Sequence, residues 1–182
     1  MLGNSFGGMI ARFVAHELRE QVLGLATVAG VFVAEHARRA VPPRTVLRRE
    51  PAVETILGSA LEQYREGAVV ESVDAALDFQ RSILPGLTDV DSAATERIAQ
   101  RYSLDVEPED AHPQPLLQPS LHVTGRQDDV VGYADAWTRF EHYPRASFAV
   151  VDAAGHDILS EQRALCAALI TDWLVRVSSS AP

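Results

Sequence analysis

The chain has 182 residues, room for one domain with a sizeable core, and is 47% apolar and 23% charged, an ordinary globular balance that argues against disorder. Sixteen basic against 25 acidic side chains leave a net charge of −9, which speaks against nucleic-acid phosphate as a partner. The single cysteine excludes an intrachain disulfide framework and any multi-cysteine zinc or iron–sulfur site.

No secretory leader is visible at the start, and the longest apolar run, residues 22–34, is too short to cross a bilayer. A soluble cytoplasmic protein with no membrane partner is expected. Gly3-Asn4-Ser5-Phe6-Gly7-Gly8 reads as a turn opening a helix. Met9, Ile10, Phe13, Val14 and Leu18 are apolar at helical spacing, and His16, Glu17, Arg19 and Glu20 form the polar end. Residues 22–28 follow as a strand buried on both faces of a parallel sheet.

Residues 35–111 have a different texture. Helices are expected over 52–66, 70–84 and 92–102, with Gly and Pro breaks and no strand between them. Ile56, Leu57, Leu61 and Tyr64 share one face of the first; Val73, Leu77, Ile83 and Leu84 point inward from the second. After the Pro-rich stretch 112–119 the βα rhythm resumes. A strand is expected at 121–124, a helix at 131–141, a strand at 147–151 and a helix at 160–177. Leu165, Leu169, Ile170, Trp173 and Leu174 of the last helix face inward, and residues 178–182 form a fraying tail. This pattern is an α/β sheet with right-handed crossovers, its core in 1–34 and 112–182, interrupted by a helical insertion at 35–111.

Gly3-Asn4-Ser5-Phe6-Gly7 is a G-x-S-x-G sequence followed by a helix. A serine on a sharp strand-to-helix turn projects its hydroxyl from the sheet, and glycines two residues either side let strand and helix approach closely. The helix aims its N-terminal dipole at the reacting oxygen, and the Phe6 amide can donate to an oxyanion. The plainer reading of the motif alone is a Gly-rich turn whose serine caps a helix. A nucleophilic serine also needs a base and an acid to orient it. Two strand-terminal loops supply them in the order Ser, Asp, His: Gly125-Arg126-Gln127-Asp128 and Asp152-Ala153-Ala154-Gly155-His156.

Gly3 to Gly8, then Gly125-Arg126-Gln127-Asp128-Asp129-Val130-Val131-Gly132, then Ala154-Gly155-His156-Asp157 resemble the α/β-hydrolase family. The likeness is closest to its capped serine hydrolases, the branch of carboxylesterases and carbon–carbon bond hydrolases of aromatic-ring degradation. That resemblance implies Ser5 as nucleophile, Asp128 as acid, His156 as base, the Phe6 amide in the oxyanion hole, and the 35–111 insertion as the cap that shapes the acyl pocket. It implies a small-molecule carbonyl substrate and neither cofactor nor metal.

Other residues compete for these roles. Asp129 is the rival acid, while Asp157 follows the histidine too closely to orient it and reads as solvated or as a helix start. His122 reads as a strand histidine, His16 and His142 as surface residues, and His36 as structural at the insertion's entrance. His16-Glu17 begins like a zinc helix, but Glu20 stands where the second histidine belongs. Cys166 reads as a small buried apolar residue.

Only Met1 and Leu2 precede the elbow. The strand that delivers the serine is therefore expected to be missing, with the strands beyond it and the second oxyanion donor. The chain is expected to be the C-terminal part of a longer hydrolase fold. Strand 22–28 would then be an open apolar edge, suited to self-association as a homo-oligomer. A non-catalytic fragment or binding module is the alternative from another functional class.

Overall fold

A computed structural model describes residues 1–180. Its centre is a parallel four-stranded sheet in the order β1 (Leu2–Asn4), β2 (Leu25–Val28), β5 (Ser120–Gly125), β6 (Ala146–Val151). Between β2 and β5 lie β3 (Arg48–Arg49) and β4 (Val70–Glu71), a parallel two-stranded ribbon. Helix α1 (Phe6–Leu18) follows β1. The insertion carries α2 (Ala52–Leu57), α3 (Leu61–Gly67), α4 (Val73–Ser82), α5 (Leu84–Thr88), α6 (Ser92–Ala99) and α7 (Pro108–Ala111). Helix α8 (Ala134–Thr138) lies between β5 and β6, and α9 (Ile158–Glu161) and α10 (Arg163–Ser180) close the described chain. No described helix is long and apolar enough to cross a membrane.

β2 and β5 are buried along their whole length, Thr27, Ser120, His122 and Thr124 included. Period-two alternation divides their side chains between two layers. Ala26, Val28, Leu121 and Val123 face Trp173 and Cys166 of α10. Leu25 packs in a second layer with Ala11 and Ala15 of α1, Phe32 and Tyr143.

Several expectations are corrected. The serine-bearing strand is not missing: β1 pairs Leu2, Gly3 and Asn4 with Ala26, Thr27 and Val28. β2 is consequently an interior strand, and β1, where Leu2 is exposed, lies at one edge of the described sheet. Strands do interrupt the insertion, as β3 and β4, and Gly58 at φ 51° divides its first helix in two. In α4 the buried face is Ala75, Ala76 and Phe79, while Leu77 is exposed. On α10, Leu165 and Leu174 are exposed. The helix runs on through Ser180, so the tail expected at 178–182 is helical there, and 181–182 lie outside the described residues.

Helix α1 departs furthest from its pattern. Ile10, Phe13 and Leu18 are exposed, whereas Arg12 and His16 are fully buried, against the surface expectation for His16. Small residues explain the approach: Gly8, Ala11 and Ala15 let the helix lie close on the sheet. Partners distant in sequence make the polar residues tolerable there. Arg12 forms a bidentate pair with Glu109 at 2.9 and 2.5 Å, reaches Glu107 at 3.2 Å, and donates to the Val31 carbonyl at 2.8 Å. Burial opposes the carboxylate of Glu109, but Arg12 outweighs it and holds the pKa down to about 2. Tyr143 donates to Glu109 and contacts His16 Nε2 at 3.1 Å. Burial lowers the His16 pKa to about 4, so the ring stays neutral near pH 7.

The elbow rests on a contact without side chains. A Cβ at Gly3 would sit 2.1 Å from the Gly7 carbonyl oxygen, and one at Gly8 2.9 Å from Gly30 Cα. Gly7 itself has open space. The G-x-S-x-G glycines thus differ: Gly3 is needed for its missing Cβ, and Gly7 only lends its backbone. Gly3→Ala is expected to cost more than about 3 kcal/mol through overpacking against backbone. Gly7→Ala is expected to leave stability unchanged or raise it by up to about 1 kcal/mol through helix propensity. Urea midpoints check this, and equal losses in both variants would contradict it.

Candidate active site

Register aligns the carboxyl ends of the strands. Asn4 pairs with Val28, Val28 with Val123, and Gly125 with Val151. Sharp turns follow three of these ends: Ser5, Ala29 and Ala153 take φ of 49°, 44° and 53°. Such conformations cost on the order of 1–3 kcal/mol each and persist where the surroundings enforce them. At Ser5 the enforcement is visible. Its N–H donates to Val28 O at 3.0 Å, and its carbonyl accepts from Gly8 and Val31 N–H at 2.9 and 3.2 Å. The result projects Oγ beyond the sheet at the start of α1.

Asp128 is fully buried three residues past Gly125. Its Oδ1 accepts from the Val130 and Val131 N–H groups, each at 2.9 Å, which fixes the carboxylate plane. Its Oδ2 lies 3.1 Å from His156 Nδ1. His156 Nε2 lies 2.9 Å from Ser5 Oγ. Three segments separated widely in sequence therefore meet in one hydrogen-bonded line. Asp129 turns away to Arg44, 3.4 Å distant, so it does not orient the imidazole.

The Asp128 and His156 loops touch through backbone, since a Cβ at Gly125 would lie 2.4 Å from the carbonyl oxygens of both Ala154 and Gly155. Burial by itself lowers the pKa of His156. The hydrogen bond and charge of Asp128, joined by Asp157 and opposed by Arg39, outweigh that and leave it above 6.5. Burial pushes the Asp157 carboxyl up to about 6, against the pull of His156. Asp157 is neither fully solvated nor bonded to the imidazole; its backbone carbonyl starts α9 by accepting from Ser160 and Glu161.

Phe6, the first residue of α1, has no intrahelical acceptor for its N–H, which leaves that donor available beside Ser5. Its ring packs against Tyr102, centroids 4.9 Å apart and planes tilted by 30°. A cleft of about 680 Å³ runs between Phe6 and α6, lined by Arg97, Ile98 and Arg101. A second, of about 450 Å³, reaches His156 from Asn4, Asp157 and Ile170. Among the described residues, no group of three or more His, Cys, Asp or Glu converges as metal ligands.

His122 is a core histidine whose Nδ1 meets Thr27 Oγ1 at 2.9 Å, and Cys166 is buried among apolar neighbours. His36 is exposed on a short 3-10 turn. His142 is half-buried rather than a surface residue. Sequence reasoning missed Glu161, Arg44, Arg97 and Arg101. Only the position of Glu161, five residues beyond His156, is a local signal, and it reads equally well as a helix-start acid.

No family model matches the chain. No curated protein matches it either. Solved structures do. An α/β superfamily hydrolase from Oenococcus oeni PSU-1 is similar at TM-score 0.89 and 23% identity, over 97% of this chain and 66% of that one. A thermophilic esterase is similar at TM-score 0.65 and 17% identity, over 97% and 65%. The 2-hydroxy-6-oxo-6-phenylhexa-2,4-dienoate hydrolase from Rhodococcus sp. strain RHA1 is similar at TM-score 0.60 and 19% identity, over 95% and 62%. The chain spans just under two thirds of the length of these structures. The parallel sheet, the serine turn at its carboxyl edge and these likenesses together establish that the chain has the α/β-hydrolase fold.

Proposed function

We propose that the chain carries the catalytic centre of a serine hydrolase acting on an ester or related carbonyl substrate. What supports this is the continuous line from Asp128 through His156 to Ser5, with contacts of 3.1 and 2.9 Å. His156 takes the Ser5 proton at Nε2 as Oγ attacks the carbonyl carbon. Asp128 keeps the other ring proton on Nδ1 and stabilises the imidazolium. The oxyanion accepts from the Phe6 N–H. His156 then protonates the leaving group, and water releases the acyl product. Residues 35–111 act as a cap that shapes the acyl side of the site.

A phosphonylating reagent tests this on the chain as it stands. A fluorophosphonate is expected to label Ser5, with labelling abolished in Ser5→Ala and slowed on the order of 10⁴-fold in Asp128→Asn, where the wrong tautomer forms. The labelling rate falls as His156 protonates, so its acid limb is expected above pH 6.5. Absence of labelling in the unsubstituted chain supports the non-catalytic alternative instead.

One observation favours a carbon–carbon bond hydrolase as the second reading. All 16 basic side chains are arginines. Among the described residues, every one except Arg97 and Arg101 makes an ion pair or a side-chain hydrogen bond. These two line the cleft beside Phe6 and suit a carboxylate on the acyl portion. The Rhodococcus structure above is named for an anionic dienoate. With both arginines changed to Gln, the preference for an aryl hemisuccinate over the aryl acetate is expected to fall about 10–100-fold in kcat/KM. An unchanged ratio would contradict an anionic acyl group.

A further inference from the structure

Residues 65–70, from the end of α3 into β4, lie against both loops that carry the proposed acid and base. Two side chains of opposite charge grip this strap by its backbone. Arg44 donates to the Arg65 carbonyl and to the Ala68 carbonyl at 2.8 Å, while pairing with Asp129 beside the proposed acid. Glu161 does the converse. Its Oε1 accepts from the Val69 and Val70 N–H groups at 2.5 and 2.8 Å, and its Oε2 accepts from the Gly155 N–H at 2.6 Å. Ala68 and Val69 are wholly buried, so water does not replace the bonds of the Ala68 carbonyl and the Val69 N–H when they break.

The packing leaves no slack. A Cβ at Gly155 would sit 2.5 Å from Val69 Cγ2 and 2.7 Å from the Gly67 carbonyl oxygen. The strap and the Gly155 backbone therefore occupy adjoining space with nothing between them, and a shift of one displaces the other. His156 is the next residue.

We propose that Glu161 is a positioning residue for His156. Its carboxylate fastens Gly155 to the strap, and Arg44 fastens the same strap to the Asp128 loop. The two halves of the Asp128–His156 contact thus keep their distance through a third segment belonging to the insertion. Movement of residues 65–70 is transmitted to the imidazole. This rests on the serine-hydrolase reading for its catalytic consequence but not for its structural content.

Two substitutions in the full chain separate reach from charge. Glu161→Asp keeps the charge and loses the reach. Glu161→Gln keeps the length, but its single carbonyl oxygen serves either Val69 and Val70 or Gly155, not all three. Hydrogen exchange of these amides, NMR titration of the His156 ring and the rate of fluorophosphonate labelling are measured together. The ring is faced by Asp128, Asp157 and Arg39. In Glu161→Asp the three amides are expected to lose protection, the His156 midpoint to fall towards 6.5 as the Asp128 contact loosens, and labelling to slow about 10–100-fold. Glu161→Gln is expected to fall between, and it carries the test if the Asp variant does not fold. Lost amide protection with an unchanged midpoint and labelling rate in the folded variants overturns the proposal. A midpoint that moves in a protein whose unsubstituted form never labels leaves the positioning role standing and removes the hydrolase reading.

Discussion

The contact of Gly3 with the backbone of Gly7 and Gly8 is the constraint on which the rest of the site depends. It brings α1 against β1 with no side chain between them, and so holds Ser5 at a positive φ at the end of a parallel strand. From that point the Ser5 hydroxyl meets His156 Nε2 at 2.9 Å. The Asp128 and His156 loops are brought together by an equivalent device, the bare Cα of Gly125 under the carbonyls of Ala154 and Gly155. Sheet register does the remaining alignment, because adjacent parallel strands ending level present their following turns to one another.

Beneath the sheet, charge is handled differently. Arg12, Glu109 and Tyr143 form a fully buried set whose members come from α1, the end of the insertion and the segment before β6. Removing one partner from such a set leaves an uncompensated charge, which is why buried pairs are costly to break. The set ties the insertion's return to the helix behind Ser5, as the Glu161 and Arg44 contacts tie its middle to the His156 and Asp128 loops. The insertion is joined to the core at the positions where the chemistry proposed here takes place.

The motifs were legible because the chemistry proposed here needs particular residue types at fixed spacing. Ser5, Asp128 and His156 stand where the order of strands and turns put them, and the structure brings all three together. The sheet was legible from the apolar residues Leu25, Ala26, Val28, Leu121 and Val123, although the polar Thr27, Ser120, His122 and Thr124 are buried beside them. What could not be read was any face set by distant partners. The spacing of Ile10, Phe13 and Leu18 pointed to an apolar inward stripe, yet the buried face of α1 contains Arg12 and His16, whose partners Glu109 and Tyr143 lie 97 and 127 residues away. The two-residue strands β3 and β4 carry too little pattern to register, and β1 is too short to be distinguished from the turn it delivers. Glu161 was invisible as a site residue because its three acceptor contacts are to backbone amides, which leave no trace in side-chain identity.

A crystal structure of the chain after reaction with a fluorophosphonate tests the central claim most directly. The account expects phosphorus bonded to Ser5 Oγ, one phosphoryl oxygen within about 3 Å of the Phe6 nitrogen, and the His156–Asp128 contact intact. An unmodified Ser5, or an adduct with its oxygen turned from Phe6 and His156 swung away from Asp128, would contradict it.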